Sequence, residues 1–145
     1  MSSPRKYYYH INNEIIYPKL IDRINIPRNK CIVFLNGEVG AGKTTFVKSY
    51  LSYKGDSNND ATSPTFTIVN EYPSALINIY HYDFYRLKDK KELIEIGIDY
   101  YLDQSGIHFI EWPNNYLDYL PKPNININFT MLEESRLIKV DYNDG

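Results

Sequence analysis

The sequence predicts an α/β fold: a three-layer sandwich of helices around a mixed, mostly parallel sheet that also carries β-hairpins. Three observations predict it. Cys31-Ile32-Val33-Phe34-Leu35 is an unbroken apolar, β-branched run, the pattern of a central strand buried on both faces. A glycine-rich segment, Gly37 to Thr44, follows directly and leads into helical spacing of Phe46, Val47, Tyr50 and Leu51. Downstream the order continues as hairpin, helix, strand, hairpin, which a layered α/β domain accommodates.

Each element has its own signal. Asn12-Asn13-Glu14 followed by Ile15, Ile16, Leu20, Ile21 and Ile24 suggests an Asn-capped helix, shortened or displaced by Pro18. Pro27-Arg28-Asn29-Lys30 reads as a turn, and Thr44 to Tyr53 as a helix followed by a polar loop from Lys54 to Ala61. Phe66 to Tyr72 and Leu76 to Tyr82 read as two strands, joined through Pro73-Ser74-Ala75 as a hairpin. Asp89 caps a short helix that Gly97 ends, with Leu93, Ile94 and Ile96 on its apolar side. Ile107-His108-Phe109-Ile110 is a short apolar strand closed by Glu111. Ile125 to Phe129 and Leu137 to Val140 form the last expected hairpin.

Composition narrows the classes. The 145 residues point to a single domain, 1–145, able to bury roughly two-thirds of its unfolded surface without staples. Ile (18) and Leu (11) must build the core, because 15 of the apolar residues are Tyr, whose hydroxyls need partners or water. No apolar run approaches membrane-spanning length, and the first residues hold no signal-peptide segment, so a cytoplasmic location is expected. One cysteine, Cys31, excludes a disulfide framework or Cys-based zinc cluster. Net charge is −2, without the basic footprint of a stand-alone nucleic-acid binder.

Gly37-Glu38-Val39-Gly40-Ala41-Gly42-Lys43-Thr44 fits G-x-x-x-x-G-K-[ST] in full, between a buried strand and a helix. Glycines allow positive φ and close backbone approach to phosphate oxygens. Successive N–H groups and the helix N-terminus then surround a β-phosphate. Lys43 adds charge toward the β- and γ-phosphates, and the Thr44 hydroxyl suits Mg²⁺. The fold class is therefore P-loop NTPase-like.

The metal needs an acidic group at a neighbouring strand end. Glu111 and Asp83 each terminate an apolar strand in that manner, and either can bind Mg²⁺ directly or through water, or orient the attacking water. Thr62-Ser63-Pro64-Thr65-Phe66 is a hydroxyl-rich loop entering a strand, of the kind that senses a γ-phosphate. His81 shares a strand face with Asp83 and can orient its carboxylate or simply pack. Arg86 can neutralise phosphate charge. Cys31 and His108 read as structural, and the Tyr7-Tyr8-Tyr9 run as cover for part of a core or interface.

Together these segments resemble the TsaE family (also called YjeE), small bacterial P-loop ATPases. The likeness rests on Gly37 to Val47, Ser63-Pro64-Thr65-Phe66-Thr67, His81-Tyr82-Asp83-Phe84-Tyr85-Arg86-Leu87, Glu92-Leu93 through Gly97, and Ile110-Glu111-Trp112-Pro113, in family order. The resemblance implies binding of ATP/ADP with Mg²⁺ and slow hydrolysis alone. It also implies action with TsaB and TsaD, which place threonylcarbamoyl on adenosine at position 37 of tRNA, and contact with tRNA only through that complex. By position, Gly37, Glu38, Val39, Gly40, Ala41, Gly42, Lys43, Thr44 and Thr45 would hold the phosphates. Thr44 and Glu111 would hold Mg²⁺, and Lys43, Asp83 and Glu111 would be catalytic. Ser63, Pro64 and Thr65 would form the switch, and Trp112 would support the active site or a partner contact. Asn13 and Arg136 would lie near the adenine. The family's N-terminal helix is longer, whereas Pro18 intervenes here.

Other readings stand beside this one. A small-molecule P-loop kinase would want several arginines clamping the transferred group, and this chain has five, scattered. A GTPase would want an Asn/Thr-Lys-x-Asp motif, which is missing. A non-hydrolysing ATP-binding module conflicts with intact Thr44, Asp83 and Glu111.

Overall fold

The computed structural model describes residues 5–12, 16–54, 68–73 and 76–143. Its elements are β1 (Arg5–Ile11), α1 (Tyr17–Ile24), β2 (Lys30–Gly37), α2 (Lys43–Lys54), β3 (Val69–Tyr72), β4 (Ile79–Asp83), α3 (Lys90–Glu95), α4 (Ile98–Leu102), β5 (Gly106–Glu111), a 3₁₀ helix (Asn114–Tyr119), β6 (Ile125–Met131) and β7 (Arg136–Tyr142). The seven strands form one sheet in the order β1-β7-β6-β2-β5-β4-β3. The four central strands, β6, β2, β5 and β4, are parallel. β3, β7 and β1 add antiparallel pairs at the two sides. The expected mixed α/β sandwich is thus the observed architecture.

β2 explains the unbroken apolar run. Cys31, Val33 and Leu35 face the layer holding α1 and α2, while Ile32 and Phe34 face the layer holding α3 and α4. A strand covered on both sides needs apolar residues at every position. On the first side Phe46 of α2 meets Tyr17, Phe109 and Phe129 edge-on, with ring centroids 5.8, 6.1 and 5.9 Å away. On the second, Tyr82 and Phe84 pack with Leu93, Ile110 and Tyr116.

Cys31 and His108 are structural, as read from sequence. The Cys31 thiol is buried and its pKa is pushed up to about 11 by desolvation. His108 accepts from the Tyr82 hydroxyl at Nδ1 (2.7 Å), donates from Nε2 to the Gln104 carbonyl (2.8 Å) and stacks on Tyr80. Burial lowers its pKa, so the neutral ring with one donor and one acceptor fits both bonds.

Several expectations shift. The Asn-capped helix begins instead at Tyr17, after an Ile16 cap position that makes no side-chain bond, with Pro18 in the first turn. Proline there loses no hydrogen bond and carries a preset φ, so it starts the helix rather than interrupting it. Asn12 lies in a bend after β1, and Asn13 lies outside the described residues. The two hairpin strands expected from Phe66 and Leu76 are observed over Val69–Tyr72 and Ile79–Asp83; Phe66 and Thr67 lie outside the described residues. Their antiparallel pairing is observed. Asp89 does cap α3, accepting from Lys91 N–H at 3.0 Å, and Gly97 at φ 72° ends that turn but leads straight into α4. The tyrosine run is an edge strand, with Tyr7 opposite Val140 and Tyr9 opposite Ile138. Tyr9 packs on the core while Tyr7 and Tyr8 stay exposed. Among the described residues no helix is long and apolar enough to cross a membrane.

β7 and α1 are tied by a buried bond from the Tyr142 hydroxyl to the Ile24 carbonyl at 2.7 Å. Tyr142→Phe leaves that carbonyl without its donor, and about 1–2 kcal/mol of stability is expected to go. Urea denaturation of the two proteins checks this, with an unchanged midpoint as the contrary result.

Candidate active site

The glycine-rich turn links the C-terminal end of β2 to the start of α2. Gly37 sits at φ 152° with a would-be Cβ only 2.6 Å from the Phe129 carbonyl oxygen of β6, so no side chain fits against that strand. Gly42 sits at φ 111°, with a would-be Cβ 2.7 Å from the Tyr17 hydroxyl. Both positions require the conformational range of glycine. The Ala41 N–H donates to the Glu38 carbonyl at 3.1 Å and closes the turn, and the Phe46 N–H to Gly42 carbonyl bond (2.9 Å) starts the helix.

Lys43, the first residue of α2, is 4 % exposed. Its ammonium donates to the Gly37 carbonyl and, at 3.4 Å, to that of Glu38. It also lies 3.7 Å from the centroid of the Trp112 ring. Burial lowers the Lys43 pKa, against the pull of the Glu111 and Asp83 charges. The loop's own carbonyls and an aromatic face therefore hold the cation over the turn. Trp112 reaches this place through a left-handed backbone, φ 60°, uncommon for a bulky side chain. The Tyr85 ring packs against the Trp112 ring at a tilt, with centroids 4.9 Å apart.

Parallel pairing brings the two strand-end carboxylates side by side, with Asp83 of β4 in register with Glu111 of β5. Glu111 is 3 % exposed, and its Oε2 accepts from the Thr44 hydroxyl at 2.9 Å and from His81 Nε2. Asp83 accepts from the Tyr85 N–H at 3.0 Å. Burial raises the Asp83 pKa, the neighbouring Glu111 adds to that, and the Tyr85 bond, His81 and Lys43 oppose it. A carboxylate so raised is a better proton acceptor than an exposed one.

Two clefts flank the turn. One, of about 320 Å³, is lined by Lys43, Thr44, Asp83, Arg86, Glu111 and Trp112 among others. The other, of about 340 Å³, lies between the turn, Tyr17, Asn12 and Arg136. Both share Gly40, Gly42 and Thr45, so the turn is the wall between them. Arg136 donates from Nε to the Ala41 carbonyl (3.2 Å) and from a terminal nitrogen to that of Gly40 (3.4 Å). The paired hydroxyl and carboxylate oxygens of Thr44 and Glu111 suit a hard divalent cation, which takes few protein ligands when phosphates complete its shell. Among the described residues no group of three or more His, Cys, Asp or Glu is arranged to hold a metal ion.

Residues 13–138 match the model of one protein family, described as threonylcarbamoyl adenosine biosynthesis protein TsaE. The chain belongs to the TsaE family. The TsaE protein of Haemophilus influenzae is 40% identical over 109 residues, covering 75% of this chain and 68% of that one. That of Bacillus subtilis is 36% identical over 96 residues, covering 66% and 59%, and that of Rickettsia felis 38% over 105 residues, covering 72% and 61%. The crystal structure of Bacillus subtilis YdiB has the same fold, with a TM-score of 0.75 over 98% of this chain and 88% of that chain at 24% identity.

Within this TsaE chain the structure gathers Gly37 to Thr45, Asp83, Glu111 and Trp112 around one turn and places Arg136 beside it. Ser63, Pro64, Thr65 and Asn13 lie outside the described residues. His81, which from sequence can orient Asp83 or simply pack, bonds instead to Glu111. Strand alternation puts His81 and Asp83 on one face, but only the neighbouring strand's register shows which carboxylate the ring meets. The Lys43–Trp112 contact and the Tyr85 partner were likewise not derivable from spacing. Their one signal was the aromatic residues flanking the two carboxylates in H-x-D-x-Y-R and E-W-P.

Proposed function

We propose that the chain binds and hydrolyses ATP with Mg²⁺ as a subunit of the tRNA threonylcarbamoyladenosine modification machinery, acting with TsaB and TsaD on position 37 and meeting tRNA only through them. The observation that carries the ATPase reading is the hydrogen bond from Thr44 of the phosphate-binding turn to Glu111 at a neighbouring strand end, 2.9 Å long, with Asp83 beside it. Family membership carries the pathway.

In this reading the backbone N–H groups from Gly37 to Thr45 bind the phosphates. Lys43 leaves the Gly37 and Glu38 carbonyls to meet them. Thr44 and Glu111 hold Mg²⁺, which when bound supplies charge neutralisation for the phosphate oxygens. Asp83, raised by burial, orients the attacking water and accepts its proton. Arg136 and the cleft beside Tyr17 lie on the adenine side. A kinase reading gains little, since among the described residues the phosphate-side cleft is lined by a single arginine, Arg86.

A small catalytic turn with one lining arginine should turn over slowly by itself. Phosphate release by the isolated chain is expected to be weak and to rise severalfold when the TsaB–TsaD pair is added. Absence of stimulation at saturating partner would count against the partnership, and absence of any ATP turnover against the ATPase.

A further inference from the structure

We propose that His81 is a positioning residue for the divalent-cation site: it fixes the Glu111 carboxylate so that one oxygen is committed to the protein and the other is left for the cation. The inference rests on the nucleotide–Mg²⁺ reading above. His81 is 0 % exposed on β4, diagonal to Glu111 across the β4–β5 pairing. Its Nε2 donates to Glu111 Oε2, the same oxygen that takes the Thr44 hydroxyl. Two donors occupy both lone pairs of Oε2, so the remaining acceptor capacity of the carboxylate lies on Oε1. The rotation of the carboxylate is thereby locked between α2 and β4.

The other ring nitrogen decides what kind of residue this is. His81 Nδ1 is buried and has no hydrogen-bond partner among the described residues. A proton relay needs partners at both nitrogens, whereas a ring holding one carboxylate needs only one. His108 provides the contrast within the same sheet: it is bonded at both nitrogens and stacked on Tyr80, as a packed structural histidine is. His81 instead leaves a buried nitrogen unsatisfied while serving Glu111, an arrangement expected where orientation of an acidic ligand matters more than local hydrogen bonding.

Three substitutions separate positioning from packing. The amide nitrogen of His81→Gln reaches the place of Nε2; that of His81→Asn falls short of it, and His81→Leu has no donor. Binding of Mn²⁺ to the ADP-loaded protein is followed by the loss of the free-ion paramagnetic resonance signal, and ADP affinity is measured separately by calorimetry in EDTA. Asn and Leu are expected to weaken Mn²⁺ binding by about ten- to hundredfold, with Gln close to the parent and metal-free ADP affinity unchanged in all three. If the Leu variant does not fold, the Gln–Asn pair carries the comparison. Mn²⁺ binding by Asn as tight as the parent's, or a loss in Gln equal to that in Asn, overturns the positioning role alone. A parent protein that fails to bind ADP in EDTA overturns the nucleotide reading beneath it.

Discussion

Glu111→Ala is expected to lower ATP turnover by roughly a hundredfold or more while ADP binding remains measurable. The two halves of that result have different physical sources. In the proposed reading the phosphates are gripped mainly by backbone N–H groups of the glycine-rich turn, which the substitution leaves in place. Turnover in that reading depends on the cation, and Glu111 is the carboxylate bonded to Thr44 at 2.9 Å. The substitution also strips the Thr44 hydroxyl and buried His81 of their common acceptor, which costs about 1–3 kcal/mol of stability. Glu111→Gln separates the effects, because its amide oxygen still accepts while the charge is gone. Phosphate-release rates, read alongside circular dichroism and ADP calorimetry, give the answer. Full activity in a folded Glu111→Ala protein would remove Glu111 from the site.

Lys43→Ala acts on binding itself. Loss of a charge-assisted hydrogen bond to phosphate is worth about 1.5–3 kcal/mol, which corresponds to about a ten- to hundredfold weaker ATP affinity. The resting contacts of Lys43 add a second consequence. The ammonium holds the Gly37 and Glu38 carbonyls together and lies on the Trp112 ring, so its removal also loosens the turn and exposes the indole. Calorimetric titration with ATP is the measurement. Unchanged affinity would mean that the phosphates sit elsewhere.

Much of the fold could be read from local pattern, and the reasons are visible in particular elements. β2 announced itself because its stretch from Cys31 to Leu35, covered on both sides, is apolar at every position. Asp89 and Gly97 marked α3 because capping chemistry is local. β1 did not announce itself. Three consecutive tyrosines fit an edge strand only because β7 offers Val140 and Ile138 opposite Tyr7 and Tyr9, more than a hundred residues along the chain. Pro18 misled for a related reason. Its meaning depends on whether the helix begins before it or at it, and the start at Tyr17 made it a first-turn residue.

The site divides along the same line. The sequence alone determined the glycine-rich turn between β2 and α2, because its glycines and the Lys43-Thr44 pair act through neighbouring backbone, and it marked Asp83 and Glu111 as the carboxylates closing two apolar strands. Only the tertiary structure decided how these groups divide the work. Parallel register set Asp83 beside Glu111, α2 lowered the Thr44 hydroxyl onto Glu111, and His81 completed the hold on that carboxylate rather than on Asp83. The left-handed backbone at Trp112 set its ring against Lys43. Spacing along a chain fixes which residues share a strand face, but hydrogen bonds between strands and helices are fixed by how those elements pack.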